Sequence, residues 1–161
     1  MKYYEMSIYL NELSDFLNSR DNMKVEIVEV VNPDNVPFIG DKTNKNKHSI
    51  PYPPSSKLSK TSGIYIFIAE DGTVLYIGKA GENNVGDRIW DHIKTPEPSD
   101  REGWVIFPKN KFNSDIIREG KAKVGIFEVE PSTYSSLVEV YLQTIFFEHI
   151  GQLPKLNSRL G

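Results

Sequence analysis

The sequence contains no cysteine, no long apolar run and no excess of positive charge. Without cysteine, disulfides, thiolate nucleophiles, iron–sulfur clusters and cysteine-based zinc sites are excluded. No apolar stretch approaches the roughly 20 residues that a helix needs to span a bilayer. These absences predict a soluble, cytoplasmic protein.

The charge balance limits how the chain can bind nucleic acid. Its 161 residues include 19 Lys and Arg against 22 Asp and Glu, for a formal net charge of -3. Because bulk attraction to a polyanion needs excess positive charge, any binding of nucleic acid must depend on a local basic surface. This balance argues against a non-specific nucleic-acid coat protein.

Residues 1–60 predict an N-terminal arm with a proline-rich connector. Lys24–Val31 alternates and is rich in β-branched residues, which indicates a strand. Residues 32–62 carry five prolines and little periodicity, which is typical of a loop or an extended connector. Ahead of the strand, apolar residues recur at the spacing of an amphipathic helix: Met6, Tyr9, Leu10, Leu13, Phe16 and Leu17.

Residues 61–161 predict a domain built on a β-hairpin. Gly63–Ala69 and Thr73–Gly78 are apolar segments on either side of Asp71-Gly72, a strong turn signal. Lys123–Val129 predicts a further strand. Because short antiparallel sheets are stabilised by helices packed on their faces, this order of elements favours an α+β fold. We expect a small central antiparallel sheet of about three strands, flanked by helices, with the N-terminal helix and strand as an extension that can add to its edge.

Two helices and an insertion complete the predicted domain. Asn84 is placed to cap a helix that ends before Pro96. The segment Tyr134–Ile150 predicts a long helix that Gly151 ends. Between these helices, residues 94–122 are polar and irregular and are interpreted as an insertion with a short strand near 104–107.

Several familiar catalytic sites are excluded by the residues present. Gly81–Gly86 has the glycine spacing of a phosphate loop, but Asp87 and Arg88 follow where Lys and Ser or Thr are needed. No G-x-S-x-G nucleophile motif is present. The histidines are too far apart in the sequence for a local metal motif: His48, His92 and His149.

The predicted hairpin carries two tyrosines in matching positions. Gly63-Ile64-Tyr65 is followed eleven residues later by Tyr76-Ile77-Gly78, so the hairpin makes the two phenols neighbours. Lys79 follows at once, and Arg88 and His92 lie four residues apart on one face of the next helix. Two phenols and several cations are thus expected at one end of the hairpin.

The last predicted helix supplies an acidic residue in an apolar setting. Glu139 lies within SLVEVYLQ, where a carboxylate needs a partner or a metal ion. Glu148 lies nine residues further, on roughly the opposite side of the helix at about 100° per residue. Asn157 follows three residues after Pro154.

At these residues the chain resembles the GIY-YIG nucleases. That family's pattern is GIY, then YIG on the paired strand (often YIGKA, as in Tyr76–Ala80), an Arg on the following helix, a Glu on a later helix and a closing Pro-x-x-Asn. All five elements occur here in order, and the resemblance covers roughly residues 61–158. It implies a GIY-YIG-like fold and hydrolysis of a nucleic-acid phosphodiester with one divalent metal ion, Mg²⁺ or Mn²⁺.

The resemblance also implies roles for the candidate residues. Glu139 is the metal ligand, and Arg88 and Lys79 bind and neutralise the phosphate. Tyr65 positions or deprotonates the attacking water, and Tyr76 holds that arrangement by hydrogen bonding. The catalytic set thus comprises Tyr65, Tyr76, Lys79, Arg88, His92 and Glu139, and Asn157 either binds the substrate or ties the C-terminal tail to the site.

Simpler interpretations of the same residues stay open. Tyrosine favours strands in any case, Lys79 alone resembles a solvated turn lysine, and Arg88 can pair with Asp87 or Asp91 on its own helix. His92 suits proton transfer near neutral pH, but it is as easily a structural residue. The family's usual gap between Glu and the closing Asn falls between the 18 residues from Glu139 and the 9 from Glu148, so only the apolar context favours Glu139.

The resemblance predicts a self-contained nuclease that cleaves duplex DNA, of the kind found in small restriction enzymes. The arm and the insertion would then read the DNA, with a homodimer as one arrangement. Within the insertion, cations and aromatic residues are interleaved: Arg101, Trp104, Lys109, Lys111, Phe112 and Arg118. The alternatives are a small repair or mobile-element nuclease, or a non-catalytic nucleic-acid-binding or protein-interaction module that kept the fold.

Overall fold

A computed structural model describes residues 1–20, 24–35, 61–81, 84–93 and 122–160, with side chains in the 84–93 segment described as far as Ile89. The helices are α1 (Tyr3–Asn18), α2 (Val85–Ile93) and α3 (Ser135–Ile150), with short 3-10 turns at Pro33–Asn35 and Ser132–Tyr134. The strands are β1 (Glu26–Val31), β2 (Gly63–Ala69), β3 (Val74–Ala80) and β4 (Ala122–Glu130). Most of the predicted connector and nearly all of the predicted insertion, including its short strand, lie outside the described residues.

The strands form one antiparallel sheet in the order β1-β4-β2-β3. The three predicted central strands are joined by β1, which adds to the edge of the sheet as a fourth strand and pairs with β4, Ile27 facing Val129. This pairing joins segments nearly a hundred residues apart, so no local pattern in the sequence specifies it. The α+β class and the antiparallel hairpin are confirmed.

Helices cover both faces of the sheet. On one face, α1 and α3 pack over the apolar side chains of β2, including Ile64 and Ile66. On the other face, α2 packs through Val85 and Ile89 against the side of β2 that carries Tyr65. Because side chains alternate along a strand, adjacent residues of β2 belong to different layers. The same alternation holds in β3 from Tyr76 onwards, whereas Leu75 and Tyr76 share a layer where the register of the hairpin shifts.

The predicted helix stripe of α1 is largely buried. Met6, Leu10, Leu13 and Leu17 are buried in the core, as the periodicity indicates. Phe16 differs: its side chain is exposed, and the Arg20 guanidinium lies 4.9 Å from its ring centroid. No helix in the described ranges is long and apolar enough to cross a membrane.

The predicted turn and helix end are also confirmed. Gly72 adopts a φ of 80° in the turn between β2 and β3, and Gly151 adopts a φ of 77° where α3 ends. Both values lie in the left-handed region that glycine enters without steric cost. Asp71 in the turn pairs with Lys2 at 2.9 Å, which attaches the start of α1 to the hairpin.

Candidate active site

Gly78 on β3 makes room for both tyrosines. Tyr65 on β2 lies directly opposite Gly78, and Tyr76 lies two residues earlier on β3. A Cβ atom on Gly78 would stand 2.5 Å from Cε1 of Tyr76 and 2.7 Å from Oη of Tyr65. The two rings therefore cover the bare backbone of Gly78, with their centroids 5.8 Å apart. The sequence prediction that the phenols are neighbours on one face is confirmed.

The two phenols are joined by a hydrogen bond and differ in burial. Tyr65 is fully buried and shares a hydrogen bond with Tyr76, whose side chain is half-buried. Burial is the largest cause that raises the pKa of each phenol. The shared hydrogen bond raises the pKa of Tyr65 further but lowers that of Tyr76, because it stabilises the Tyr76 phenolate.

Arg88 brings positive charge to this pair. It lies in the first turns of α2, exposed to solvent, while its neighbours Val85 and Ile89 are buried against the sheet. Its guanidinium lowers the pKa of both Tyr65 and Tyr76. Arg88 is thus close enough to act on both phenols and accessible enough to meet an anion from outside.

Glu139 approaches from the opposite face of the sheet, on α3. Its side chain is only 7% exposed, and its Oε2 atom lies 3.2 Å from Nζ of Lys79, the residue that follows Gly78. The backbone N–H of Lys79 also hydrogen-bonds the carboxylate. The side chain is therefore held at the outer edge of β3, close to the phenols on the other face.

The carboxylate of Glu139 is incompletely satisfied. Although Lys79 is at ion-pair distance, Oε2 is buried and has no hydrogen-bond partner of good geometry among the described residues. Burial raises the pKa of Glu139, while Lys79 and then Arg88 act in the opposite direction. The charge of Glu139 in turn raises the pKa of both Tyr65 and Tyr76. Carboxylate, guanidinium and phenols thus form one electrostatic cluster around Gly78.

Asn157 and Gln143 both hydrogen-bond the backbone of Ile77, the residue before Gly78, at the same outer edge of β3. Oδ1 of Asn157 accepts the N–H of Ile77 at 2.9 Å, and its Nδ2 donates to the carbonyl of Ile77 at 2.8 Å. Nε2 of Gln143 donates to the same carbonyl at 3.2 Å. These contacts favour the tether role of Asn157, and substrate binding by it stays a prediction.

Gln143 and Ser135 share the buried stripe of α3 with Glu139 but were not predicted as site residues. Both are buried, and Oγ of Ser135 has no hydrogen-bond partner in the described part of the chain. Their signal is present in the sequence: Ser135, Glu139 and Gln143 recur every four residues, so they lie along one face of the helix.

The other predicted candidates lie away from the cluster around Gly78 or outside the described residues. Glu148 is exposed; the pKa of Tyr141 is raised mainly by burial, and Glu148 adds to that shift, so it lies close to Tyr141. His149 contacts Oη of Tyr9 at 2.9 Å and the carbonyl of Ile145. His92 belongs to the last turn of α2, but its side chain is outside the described set, as are His48 and the cations and aromatic residues of the insertion.

The residues at Glu139 fit a hard divalent cation. Mg²⁺ prefers carboxylate oxygens and keeps several water ligands, so a single buried carboxylate whose Oε2 has no hydrogen-bond partner in the described residues can serve on the protein side. In the described ranges, no group of three or more histidine, cysteine, aspartate or glutamate residues forms a richer ligand set.

Comparisons with protein-family models, with curated proteins and with solved structures gave no match to this chain. The candidate site therefore stands on its own residues and their geometry.

Proposed function

We propose that this protein is a metal-dependent endonuclease of the GIY-YIG type that hydrolyses phosphodiester bonds of duplex DNA. The observation that carries the proposal is the convergence, around Gly78, of two hydrogen-bonded phenols, an exposed guanidinium and a buried carboxylate, one oxygen of which has no hydrogen-bond partner in the described residues. Four of the five elements that the resemblance assigned from sequence order thus lie together at one end of the hairpin. Sequence order alone does not require them to do so.

Arg88 is the group that binds the scissile phosphate. It is exposed, and a guanidinium forms paired hydrogen bonds with phosphate oxygens. Because negative charge develops on the phosphate in the transition state, a cation fixed on a helix accelerates the reaction as well as binding substrate. Its neighbours Val85 and Ile89 anchor that helix in the core.

The phenols position the attacking water. Tyr65 is fully buried, and burial raises its pKa, so its phenol stays protonated. Tyr76 is only half-buried, so it is the phenol that a water molecule reaches more readily, and Tyr65 holds it in place through the hydrogen bond that the two share. The family resemblance implies the reverse division of roles, and activity of the Tyr65→Phe variant distinguishes the two.

Glu139 is the residue that would hold Mg²⁺ or Mn²⁺. When bound, such an ion polarises the phosphate and stabilises the departing oxygen. Ser135, one turn earlier on α3, adds a second buried oxygen on the same stripe. Lys79 supplies a positive charge beside the carboxylate.

Plasmid cleavage tests the proposal directly. We expect the parent protein to nick or linearise supercoiled DNA with Mg²⁺ or Mn²⁺ and to lose this activity in EDTA. Glu139→Gln and Arg88→Ala should each reduce the rate at least 100-fold. Glu148→Gln is the matched control, because it alters an exposed carboxylate of the same helix, and it should cut as the parent does.

Other outcomes would reject parts of the proposal. Cleavage that survives Glu139→Gln but not Glu148→Gln would move the metal ligand to Glu148. DNA binding without cleavage under any metal would favour the non-catalytic module. Mapping cut ends on a long DNA separates a restriction-type enzyme, which cuts at fixed sites, from a repair nuclease, which leaves scattered nicks. Sedimentation of the active form tests for the homodimer that simultaneous cutting of both strands would use.

A further inference from the structure

Lys79 occupies an unusual position for a residue that is expected to bind phosphate. Its Nζ atom is directed at Glu139 and lies 3.2 Å from Oε2, the same oxygen that has no hydrogen-bond partner in the described residues. The carboxylate is almost fully buried, whereas the Lys79 side chain is 37% exposed. One partner of the pair is therefore fixed, and the other has access to solvent.

The fixed partner is held by independent contacts. The backbone N–H of Lys79 hydrogen-bonds the carboxylate, and α3 is secured against β3 by Gln143 at the carbonyl of Ile77. By contrast, the ammonium group ends a flexible four-carbon chain whose position nothing else in the described residues fixes. If a stronger cation reaches Oε2, it is Lys79 that moves.

We propose that Lys79 is the counterion of Glu139 in the metal-free protein and that a divalent cation displaces it from the carboxylate. Until a cation binds, the lysine ammonium occupies the place beside Oε2 that the metal would take. This inference rests on the proposed function, because it assigns the metal to Glu139. A buried carboxylate without any cation is costly, and Lys79 reduces that cost in the metal-free protein without cancelling it. The displaced ammonium then becomes available to a phosphate at the end of β3.

Competition for one oxygen has a measurable consequence. A cation that must displace Lys79 binds more weakly than one that meets a free carboxylate, and the remaining positive charge also repels it. Removing the ammonium while keeping the aliphatic chain, as in Lys79→Met, should therefore tighten Mn²⁺ binding about tenfold, or ~1.4 kcal/mol. An ordinary phosphate-binding lysine predicts no such gain.

The first experiment follows Lys79 itself in the intact protein. We expect acetylation of Lys79 by limiting N-hydroxysuccinimide acetate, quantified by mass spectrometry, to rise at least threefold on adding Mg²⁺. Potassium chloride at equal ionic strength controls for screening, and the exposed Lys24 and Lys155 serve as internal references. In Glu139→Gln, Lys79 should react at the fast rate with or without Mg²⁺. An unchanged Lys79 rate in the parent at saturating Mg²⁺ would overturn the inference.

The second experiment measures Mn²⁺ affinity at pH 8 from the signal of free Mn²⁺ in electron paramagnetic resonance. Lys79→Met should bind about tenfold more tightly than the parent, and Lys79→Arg, which keeps the charge, should stay within about threefold of it. Lys24→Met is the matched control: it removes one charge just before β1, at the opposite edge of the sheet. Unchanged or weaker binding by Lys79→Met, or absence of Mn²⁺ binding to every variant, would overturn the inference.

These measurements separate the inference from the proposed function. Displacement of Lys79 by metal without cleavage of any nucleic acid would uphold the counterion and reject the nuclease. Cleavage that depends on Glu139, with Lys79 labelling indifferent to metal, would uphold the nuclease and reject the counterion.

Discussion

Asn157 hydrogen-bonds both backbone groups of Ile77: its side chain accepts from the N–H and donates to the carbonyl. The distances are 2.9 and 2.8 Å, which match the hydrogen bonds of a neighbouring strand. Beside it, the N–H of Leu156 donates to the carbonyl of Leu75 at 2.8 Å. The C-terminal tail therefore covers the open edge of β3, which would otherwise present unpaired backbone groups.

Replacing Asn157 should release this tail. Asn157→Ala leaves the N–H of Ile77 without its partner, and we expect it to lower the free energy of unfolding by about 1–3 kcal/mol in urea titrations. Asn157→Asp keeps one acceptor but turns a charged oxygen towards the carbonyl of Ile77, so it should be no better. Ser158→Ala, at an exposed neighbour, is the control. Equal stability of all four proteins would show that the tail does not protect the edge.

Gly78 should tolerate no side chain. A methyl group there would stand 2.5 Å from Tyr76 and 2.7 Å from Tyr65, so Gly78→Ala must push the two rings away from the strand. We expect a loss of about 1–3 kcal/mol in stability and a changed near-ultraviolet circular dichroism spectrum of the tyrosines. Gly81→Ala is the matched control, because a Cβ there meets nothing within 4 Å. If both variants behave alike, the close packing over Gly78 is wrong.

Local patterns in the sequence were enough to predict the hairpin and the helix ends. Gly72 and Gly151 were predicted from their neighbours alone, and both adopt the left-handed conformation those positions require. An edge position for the N-terminal strand was among the expected arrangements and β1 occupies one, but its partner β4 was not predicted, because the two segments are far apart in sequence. The register of two strands, and which strand pairs with which, depend on tertiary packing that no local sequence pattern reveals.

The site was predicted as a set of residues but not as an arrangement. Sequence order identified Tyr65, Tyr76 and Glu139, yet it gave no sign that the tyrosines and the glutamate approach Gly78 from opposite faces of the sheet. Nor did it show that Gln143 would secure α3 against β3. Such facts depend on which helix packs on which face, and this is a tertiary property.

Burial of the two phenols predicts loss of stability in alkali. The pKa of Tyr65 and that of Tyr76 are raised in the folded protein, mainly by burial. In the unfolded chain a phenol ionises near pH 10, so above that pH the unfolded state loses protons that the folded state keeps. The contribution of each tyrosine is therefore complete below about pH 10 and falls as the pH rises further.

Tyr65→Phe tests this dependence. Between pH 10 and 11, the free energy of unfolding of the parent should fall by up to about 1.4 kcal/mol per pH unit for each buried phenol, and the variant should lose one such contribution. Urea titrations at several pH values measure the slope. Tyr4→Phe removes the hydroxyl of an exposed side chain and serves as the control. The same slope in Tyr65→Phe and the parent would contradict the burial of Tyr65.

Glu139 should cost stability in the protein without metal. Burial raises the pKa of its carboxyl above the ordinary value of 4.5, so the stability it contributes is complete below that value and declines as the pH rises through the folded-state value. At pH 8 in EDTA, Glu139→Gln should therefore be at least as stable as the parent, and we expect a gain of about 1 kcal/mol, because an amide is cheaper to bury. A loss of 2 kcal/mol or more would mean that the ion pair with Lys79 outweighs the burial of the charge.

Adding metal should make the parent more stable than Glu139→Gln. A ligand that binds only the folded state stabilises it by about 2.7 kcal/mol at a concentration 100 times its dissociation constant. Mn²⁺ should therefore raise the melting temperature of the parent by several degrees and leave Glu139→Gln unchanged, and EDTA should restore the parent to its starting value. Glu148→Gln, whose carboxylate is exposed, should respond as the parent does. Because the measurement is thermal unfolding, it locates the ion without any DNA. An equal shift in Glu139→Gln would place the metal at another residue. A shift lost only in Glu148→Gln would place the metal at Glu148.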